Sequence, residues 1–371
     1  MALVGSVTEP GAAVVLCVNC GSSSVKCAVY EVGSGREDRL AASSVDGSGP
    51  DALDEALRVA DPFAAALTGA GHRIVHGGPH HYQPSRIDDV LIAELHRATP
   101  FAPLHLPVAL RGIEAVTRRH PGLAQVACFD TAFHRTMPEI SWRLPLPAAL
   151  AEAGVRRYGF HGLSYEYIVA RVGAETLGRA VLAHLGSGAS LAAVHAGQSV
   201  HTTMGFTPSG GIVMSSRSGD LDPGVLIYLT RELGYDADRL EHLIDTGSGL
   251  QALSGETSDM RALLERRDTG DERAGLAVAV FCSHIRMQIG AYAALLGGLD
   301  TVVFTAGIGA HAPAVRAESC RGLEHLGLVI DDDRNTAGEP VISAADARVS
   351  VRVLETNEDV MLARHTRALL H

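Results

Sequence analysis

The chain has 371 residues, of which 46% are hydrophobic and 20% are charged, and its formal net charge is −11. This length suits two domains of ordinary size, each with enough apolar residues to bury a core. The acidic balance disfavours a nucleic-acid-binding or anionic-membrane surface. Any anionic ligand must therefore be held by a local cluster of donors.

The first ten residues, MALVGSVTEP, contain no basic segment followed by an apolar one, so no secretory signal is expected. No apolar stretch is expected to reach the length of a membrane span. The six cysteines lie mostly in apolar runs, which predicts reduced core thiols and a cytoplasmic protein. Cys17 and Cys20 form a C-x-x-C without a second pair at zinc-site spacing, and residues three apart on a strand face opposite sides. We interpret them as packing residues.

Strand-like and helix-like runs alternate along the chain, which predicts an α/β fold. The predicted strands are Val14–Val18, Val25–Tyr30, Arg73–His76, Val126–Phe129, Val181–Leu185, Leu191–His195 and Val302–Thr305. The predicted helices are Asp51–Val59, Val90–Ala98, Leu276–Leu296 and Glu358–Leu370. The segment Gly33–Asp54, rich in Gly, Ser and Asp, is expected to be a loop or an edge strand.

Two segments of the chain share one plan. LCVNCGSSSVKCAVYEVGS, from Leu16, and LAHLGSGASLAAVHAGQS, from Leu182, both read as strand, glycine/serine turn and strand, which suggests a duplicated domain. A third glycine turn, Thr305–Ala310, also follows an apolar run. Glycine turns at strand ends can present backbone N–H groups to an anion. None of the three matches a Walker or dinucleotide-binding motif, so we interpret them either as hairpin-type phosphate loops or as plain hairpins.

Two arginines suggest phosphate chemistry. Arg73, in GHRIVHGG, lies on an apolar strand and must face a carboxylate, a phosphate or water. Arg217, in SSRSGDLDPG, has two interpretations: a surface ion pair with Asp220 or Asp222, or one of two guanidinium groups that clamp a transferring phosphoryl group.

Two carboxylates and a histidine could each have either a structural or a functional role. Asp130 ends the strand VACFD, and Glu358 begins the last predicted helix. Glu358 could serve only the helix dipole, with Thr356 or Asn357 as the cap, or the two carboxylates could organise Mg²⁺ directly or through water. His161, in RRYGFHGLSYEY, is either a packed core histidine or a catalytic one.

Two other enzyme classes are disfavoured. The sequence His76-Gly77-Gly78 resembles an esterase oxyanion loop, but the chain contains no G-x-S-x-G. The pairs His72/His76 and His80/His81 lack a carboxylate or cysteine companion at metal-site spacing.

Nine motifs, in this order along the chain, carry a family resemblance: VNCGSSSVK, HRIVHGG, APLHLP, FDTAFHRTMP, RRYGFHGLS, HLGSGAS, TMGFTPSGGIVMSSRSGDLDPG, TAGIGAH and ETNEDVMLARHT. From about Val14 to Thr366 the chain resembles the acetate kinase (acetate and propionate kinase) family of the actin/hexokinase-like superfamily. The resemblance implies duplicated ribonuclease-H-like (actin-like ATPase) α/β domains with an active-site cleft between them. Residues 1–130 plus 360–371 would form an N-terminal domain, and residues 131–359 a C-terminal nucleotide-binding domain.

The same resemblance implies reversible, direct in-line phosphoryl transfer from ATP to acetate, giving acetyl phosphate and ADP, with Mg²⁺ or alternatively Mn²⁺. Propionate or another short-chain carboxylate, such as butyrate, is an alternative acceptor. A nucleotide-binding regulator that has lost the chemistry is an alternative from a different class. A homodimer is implied, without a nucleic-acid or membrane partner.

Site residues also follow from the resemblance. The implied catalytic residues are Arg73, Asp130, His161 and Arg217. The implied phosphate- and nucleotide-binding residues are Asn19, Ser22, Ser24, Lys26, His184, Gly186, Ser187, Gly188, Asp259, Arg261, Gly307 and Gly309. The implied acyl-pocket residues are Val75, Leu104, His105, Phe160 and Pro208. The implied metal-binding residues are Asn19 and Glu358, with Asp130 acting through water.

The chain also departs from the family pattern. Ser187 stands in place of the usual asparagine, Tyr165 in place of a second histidine, Ala310 in place of an acid and His201 in place of an aspartate. Because the principal charged groups are all present, an active kinase is expected, with these positions tuning its rate or nucleotide handling.

Overall fold

Two mixed β-sheets with one strand plan organise the chain in a computed structural model that describes residues 12–21, 24–33 and 35–370. The chain divides into unit 1, Met1–Phe133 with Asn357–His371, and unit 2, His134–Thr356. The sequence analysis put these boundaries at 130/131 and 359/360. In the structure Glu358 therefore belongs to unit 1.

The strands and helices are numbered in chain order. The strands are β1 Ala13–Cys20, β2 Ser24–Val32, β3 Glu37–Asp46, β4 Leu67–Ile74, β5 Ser85–Arg86, β6 Gln125–Phe129, β7 Arg179–Leu185, β8 Ala189–His195, β9 Gln198–Thr202, β10 Thr301–Thr305 and β11 Ser350–Val353. The helices are α1 Pro50–Leu57, α2 Asp89–Ala98, α3 Leu106–Arg119, α4 Glu139–Trp142, α5 Ala148–Glu152, α6 Gly162–Val172, α7 Ala174–Leu177, α8 Pro223–Glu232, α9 Ala237–Asp245, α10 Gly249–Ser254, α11 Met260–Asp268, α12 Glu272–Leu295, α13 Ala306–His311, α14 Pro313–Cys320, α15 Asp332–Ala337 and α16 Glu358–Leu370. Short 3-10 helices cover Arg58–Phe63, Thr99–Phe101, Ala132–Thr136 and Glu324–Leu326.

The two sheets repeat the same connectivity. In unit 1 the order is β3-β2-β1-β4-β6-β5, with β1, β2 and β3 antiparallel and β1, β4 and β6 parallel. In unit 2 the order is β11-β10-β7-β8-β9, with β7, β8 and β9 antiparallel and β7, β10 and β11 parallel. Three antiparallel strands followed by two parallel ones form the ribonuclease-H-like plan. The predicted duplicated α/β fold is confirmed.

The last helix, α16, covers one face of the unit 1 sheet. Two glycines of β4 allow this close approach. A Cβ at Gly69 would lie 2.3 Å from Leu370 Cδ1, and one at Gly71 would lie 2.4 Å from Thr366 Oγ1. A Cβ at Gly71 would also lie 2.9 Å from the backbone oxygen of Leu362, so a side chain there would push the helix away from the sheet.

The cysteines of β1 face opposite sides of this sheet, as predicted. Cys17 Sγ donates to the carbonyl of Asp359 on α16 at 3.2 Å, whereas Cys20 Sγ lies where a Cβ at Gly112 of α3 would be only 2.8 Å away. All six cysteines are buried and free. Burial raises the pKa of Cys20 to about 12, so the thiol stays protonated.

The long helix α12 corrects one expectation. It has 24 residues and is the one helix in the described part of the chain that is long and apolar enough to cross a membrane by length and composition. Buried residues such as Phe281, Ile285, Ile289 and Tyr292 recur at helical spacing along one face, as in the core helix of a globular unit. The expectation that no stretch reaches this length was wrong.

Three local predictions need adjustment. The strand predicted at Arg73–His76 begins at Leu67 and ends at Ile74, so Arg73 lies at its penultimate position. The segment Gly33–Asp54 contains the edge strand β3, as one of the two interpretations allowed, and the start of α1. The third glycine turn is not a hairpin, because β10 passes directly into α13. Its hairpin interpretation was wrong because the turn was judged by composition, which does not distinguish a strand–helix junction.

Candidate active site

The carboxyl ends of β1, β4 and β6 bring three polar residues together in unit 1. These strands are parallel neighbours; Asn19 and Arg73 are the penultimate residues of β1 and β4, and Asp130 directly follows β6. Parallel strands end at the same edge of a sheet, which is the common position for ligand-binding groups in α/β folds.

Arg73 is the centre of this cluster. Its Nη2 donates to Asp130 Oδ2 at 2.6 Å, and its Nε donates to Asp130 Oδ1 at 3.0 Å. Its Nη1 donates to Asn19 Oδ1 at 3.2 Å, and its Nε lies 3.6 Å from Glu358 Oε2. The two-point contact with Asp130 fixes the plane of the guanidinium.

Helix α16 delivers Glu358 to the same cluster. Asn357 caps the helix by accepting from the backbone N–H of Val360 at 3.1 Å, so the predicted cap is present. Asn19 Nδ2 donates to Glu358 Oε2 at 3.4 Å. Glu358 therefore lies in the first turn of a capped helix and also contacts Asn19, and the dipole interpretation alone is insufficient.

Burial and mutual charge shift the pKa values of this cluster. Complete burial raises the pKa of Asp130 to about 6, although the Arg73 guanidinium acts in the opposite direction. Burial disfavours the charged form of Arg73, but the carboxylates of Asp130 and Glu358 outweigh it and raise the Arg73 pKa. Burial, followed by the charge of Glu358, raises the pKa of Asp359 to about 6, with Lys26 opposing.

The β1–β2 hairpin carries the first glycine turn. Lys26 is exposed on β2 and pairs across the hairpin with Asn19. Ser24 begins β2, and its carbonyl accepts from the backbone N–H of Gly21 at 2.9 Å. Ser22, also predicted to bind phosphate, lies outside the described residues.

In unit 2, the β7–β8 turn Gly186-Ser187-Gly188 lies against two predicted catalytic side chains. A Cβ built at Gly188 would be 3.2 Å from His161 Nε2 and 3.3 Å from Arg217 Nη1. The absence of a side chain at Gly188 therefore leaves both groups next to the turn backbone.

His161 adopts an unusual backbone conformation at the start of α6. Its φ is 59° and its ψ is 24°, in the left-handed region. This conformation costs a non-glycine residue about 1–3 kcal/mol and is found where the surroundings impose it, often at functional sites. Its side chain is buried, and Nδ1 hydrogen-bonds Ser190 Oγ at 2.9 Å.

A second histidine stacks on the first. The rings of His161 and His184 are nearly parallel, 16° apart in plane with centroids 4.0 Å apart. His184 Nδ1 hydrogen-bonds Ser164 Oγ at 2.8 Å, as His161 does Ser190. The fully buried Tyr165 hydrogen-bonds Ser190 Oγ at 2.5 Å and has its ring edge toward His184.

Arg217 is held by the backbone of its own unit. Its Nη1 donates to the carbonyl of Pro208 at 3.2 Å. The two carboxylates considered as ion-pair partners serve backbone groups instead. Asp220 Oδ1 accepts from the N–H of Gly211 at 2.7 Å, and Asp222 caps α8 through Gly224 at 2.8 Å.

Buried His134 supports the segment before His161. Its Nε2 donates to the carbonyl of Phe160 at 3.0 Å, and its Nδ1 accepts from Ser199 Oγ at 2.8 Å. Burial lowers the pKa of His134 to about 4, so the ring is neutral near pH 7. Gly159 must be glycine, because its φ is +76° and a Cβ there would lie 2.6 Å from His134 Cδ2.

The remaining predicted nucleotide residues lie elsewhere in unit 2. Asp259 caps α11 by accepting from the N–H of Ala262 at 3.0 Å, and Arg261 is exposed on that helix. Gly307 and Gly309 lie within α13. Buried Arg316 donates through Nη1 to the carbonyls of Gly309, at 2.9 Å, and Ala310, and so fixes the end of α13.

The predicted acyl-pocket residues are divided between the units. Val75 is buried, Leu104 is exposed, and His105 precedes α3, all in unit 1. Phe160 is fully buried and Pro208 accepts from Arg217, both in unit 2.

The profile of the Acetokinase family matches residues 51–364. The chain belongs to the acetokinase family. It is 47% identical over 326 residues to an acetate kinase of Streptomyces avermitilis, covering 85% of this chain and 79% of that one. Crystal structures of an acetate kinase from Porphyromonas gingivalis and a propionate kinase from Francisella tularensis match with TM-scores of 0.87 and 0.90. The Porphyromonas gingivalis enzyme is 36% identical, and the match covers 97% of this chain and 100% of that one. The Francisella tularensis enzyme is 30% identical, and the match covers 96% of this chain and 99% of that one.

The donor set of this acetokinase in unit 1 fits a magnesium ion. Glu358 offers a carboxylate, and Asn19 Oδ1 keeps a lone pair besides the one facing Arg73. Both oxygens of Asp130 accept from Arg73, and the lone-pair position that this leaves suits a contact through water. Mg²⁺ takes few protein ligands together with substrate phosphates. No group of three His, Cys, Asp or Glu side chains among the described residues forms a fully protein-made metal cage.

Several residues that hold the acetokinase site carried no predicted role. Ser190, Ser164 and His134 contact predicted site residues or their backbone, and Tyr165 was noted only as a departure. Ser190 had a signal, because it is a small polar residue in the apolar strand ASLAAV, and a buried hydroxyl needs a partner. His134 and Ser164 had none, since their partners depend on tertiary packing.

Proposed function

We propose that this chain is an acetate kinase, transferring the γ-phosphoryl group of ATP directly to acetate. A carboxylate oxygen forms a bond to the γ-phosphorus while the bond to the β,γ-bridging oxygen breaks, and ADP leaves with that electron pair. The products are acetyl phosphate and ADP. Acetate is already ionised at pH 7, so the reaction requires no general base.

The chemistry calls for cations and hydrogen-bond donors. The loose transition state of phosphoryl transfer spreads negative charge over three equatorial oxygens, and catalysis consists of positioning and charge stabilisation. The observation that carries the proposal is the approach of His161 Nε2 and Arg217 Nη1 to the glycine of the β7–β8 turn. We assign both side chains to the transferring phosphoryl group, with His184 and Gly186–Gly188 binding phosphate.

The unit 1 cluster is assigned to metal and phosphate binding. Glu358 and Asn19 would hold Mg²⁺, or Mn²⁺ in its place, with Asp130 acting through water. The ion, when bound, neutralises phosphate charge. Arg73, fixed in plane by Asp130, would orient the carboxylate, while Lys26, Ser24 and Ser22 would face phosphate.

The remaining predicted site residues keep their proposed roles. Asp259, Arg261, Gly307 and Gly309 would border the nucleotide. Val75, Leu104, His105, Phe160 and Pro208 would contact the acyl group. We propose a cytoplasmic location, in keeping with the free buried cysteines.

The deciding assay combines purified protein, Mg·ATP and acetate, with acetyl phosphate trapped as the hydroxamate. Product that depends on protein and acetate is expected. Measurable ATP binding without product from acetate, propionate or butyrate would instead identify a nucleotide-binding regulator.

The choice of acetate over propionate has its own measurement. One methylene changes discrimination by about 1–3 kcal/mol, or roughly 10–200-fold. We expect kcat/KM for acetate to exceed that for propionate, and that for propionate to exceed butyrate. A higher value for propionate would make this chain a propionate kinase, as the Francisella tularensis protein is named.

The metal assignment is tested with Glu358→Gln. Loss of one carboxylate ligand should raise the Mg²⁺ concentration for half-maximal activity at least about tenfold. The matched control is Glu355→Gln, because Glu355 is exposed and pairs with His311 at 3.3 Å. Equal metal dependence in the two variants would remove Glu358 from the metal site.

We further propose a homodimer formed through α8 and its surroundings. None of the residues of α8 is buried, yet Val225, Ile227 and Tyr228 are large, apolar or aromatic, and exposed. Adjacent Arg231 and Glu232 offer opposite charges that can pair across a two-fold axis. Ile227→Asp should convert a dimer to a monomer in sedimentation velocity, whereas an unchanged dimer would exclude this face.

A further inference from the structure

A chain of three buried side chains, Tyr165–Ser190–His161, ends at the proposed phosphoryl-binding nitrogen. Tyr165 Oη lies 2.5 Å from Ser190 Oγ, and Ser190 Oγ lies 2.9 Å from His161 Nδ1. Tyr165 and Ser190 are fully buried, and His161 is 8% exposed. The hydroxyl of Ser190 therefore joins the phenol to the imidazole in a region closed to bulk water.

The protonation state of the Tyr165 phenol indicates which atoms donate in the Tyr165–Ser190–His161 chain. Burial raises the pKa of Tyr165 well above its ordinary value, so the phenol keeps its proton near pH 7. The phenol therefore has an O–H to donate, and Ser190 Oγ, at 2.5 Å, is placed to accept it. A serine hydroxyl that accepts from Tyr165 still has its own proton to donate, and His161 Nδ1, at 2.9 Å, is placed to accept it.

An imidazole that accepts at Nδ1 and is neutral carries its proton on Nε2. Neutrality is favoured by the stacked His184 ring, whose centroid is 4.0 Å away, because two imidazolium rings at that distance would repel. The Nε2 atom is the one next to Gly188 and the phosphate-binding turn.

We propose that Tyr165 is a positioning residue that, through Ser190, holds neutral His161 as the Nε2–H tautomer, ready to donate to an equatorial oxygen of the transferring phosphoryl group. The role of His161 at the phosphoryl group rests on the proposed function. The tautomer assignment does not, because it is argued from the hydrogen bonds of the three-residue chain without reference to a substrate.

The simpler alternative is that Tyr165 only fills the core. Tyr165→Phe separates the two, because it keeps the ring and removes the hydroxyl. Tyr292→Phe is the matched control: Tyr292 is buried in the same unit and hydrogen-bonds His201 at 3.0 Å. Both substitutions remove one buried phenolic hydroxyl.

The main measurement is ¹⁵N NMR of histidine-labelled protein, with the His161 signals assigned by their loss in His161→Gln. Wild type should show a protonated Nε2 and an unprotonated Nδ1 for His161. Tyr165→Phe and Ser190→Ala should both shift these signals toward a mixture of tautomers, whereas Tyr292→Phe should not.

Steady-state kinetics provide the second measurement. Tyr165→Phe should lower kcat about five- to tenfold, as for one lost hydrogen bond, with KM for ATP and acetate within about twofold of wild type. A purely structural role would leave the His161 signals unchanged and affect Tyr165→Phe and Tyr292→Phe alike.

The two proposals fail in different ways. A protonated Nδ1 in wild type, or His161 signals that do not respond to Tyr165→Phe and Ser190→Ala, would overturn the positioning role whatever the activity. Absence of kinase activity in wild type, with the NMR shifts as expected, would overturn the proposed function and leave the tautomer assignment in place.

Discussion

Tyr30 of β2 hydrogen-bonds Asn357, the cap of α16, with 3.2 Å between the phenol oxygen and Asn357 Oδ1. The two residues are 327 positions apart in the chain. Asn357 Oδ1 also accepts from the N–H of Val360, so the tyrosine fixes the residue at which the helix begins. The next residue is Glu358, so Tyr30 bears on the orientation of a proposed metal ligand.

Removal of that hydroxyl should loosen Glu358 without removing it. In Tyr30→Phe we expect the Mg²⁺ concentration for half-maximal activity to rise about tenfold, in the range for groups that orient metal ligands. The kcat at saturating Mg²⁺ should stay within about twofold of wild type. Tyr167→Phe, a partly buried tyrosine of α6, is the control. A metal dependence equal to that control would show that the cap does not depend on Tyr30.

Arg217→Ala should lower kcat at least about a hundredfold, as for other donors that stabilise a transition state. The thermal midpoint is measured alongside, so that a loss of activity through unfolding is distinguished from a loss of charge stabilisation. Arg171→Ala, at an exposed arginine in the last turn of α6, provides the control for loss of a positive charge in unit 2. A kcat within threefold of wild type would show that Arg217 is misassigned.

Gly188→Ala should impair turnover while the fold persists. Its methyl group would approach His161 Nε2 to 3.2 Å and Arg217 Nη1 to 3.3 Å, so both side chains must shift by a few tenths of an ångström. Misplacement on this scale affects positioning, and we expect kcat to fall at least about tenfold. Gly290→Ala is the control, since a Cβ there meets nothing within 4 Å and the residue lies inside α12. It should be fully active and slightly more stable.

His134 should make stability depend on pH. Its folded pKa is about 4 against an ordinary value of 6.5, so between these values the unfolded chain binds the additional proton. The contribution of His134 to stability is therefore complete above about pH 6.5 and declines by up to about 1.4 kcal/mol per pH unit below it. The difference in thermal midpoint between wild type and His134→Gln should be largest near pH 7.5 and narrow by pH 5.

Two carboxyl groups with raised pKa values change the pH dependence of stability in the opposite direction. Their effect cancels when wild type is compared with His134→Gln. Asp130 and Asp359, each with a pKa of about 6, bind protons in the folded state below that pH and favour folding there. Both are present in wild type and in His134→Gln. His195→Gln, at an exposed position on β8, is the matched control for the loss of one imidazole. A constant difference across the pH range for His134→Gln would contradict the buried neutral ring.

Sequence reasoning succeeded where a local pattern has one physical solution. The apolar runs around Val14–Val18 and Val181–Leu185 became the first strands of two sheets with matching connectivity. Asp130 after a strand and Glu358 at a helix start were located by position alone, and the sheet and α16 bring them to one guanidinium.

The remaining contacts depend on tertiary packing that no local pattern specifies. The stacking of His161 on His184 and the contact of Tyr165 with Ser190 join residues from a helix and two strands. The strand–helix junction at Thr305–Ala310 was mistaken for a hairpin because glycine permits both conformations. Likewise the apolar run of α12 satisfies a length test that cannot distinguish a bilayer from a protein core.

The return of α16 to unit 1 dictates an order of assembly on the ribosome. Unit 2 is one continuous segment, His134–Thr356, and can fold as soon as that segment has emerged. Unit 1 lacks the helix that covers Gly69 and Gly71 until α16, which follows unit 2 in the chain, has left the exit tunnel. The portion synthesised first is thus completed last, and its uncovered sheet face is exposed to chaperones and proteases throughout translation of the other unit. A chain truncated before Asn357 and released from the ribosome should therefore contain a protease-resistant unit 2 and a protease-sensitive unit 1.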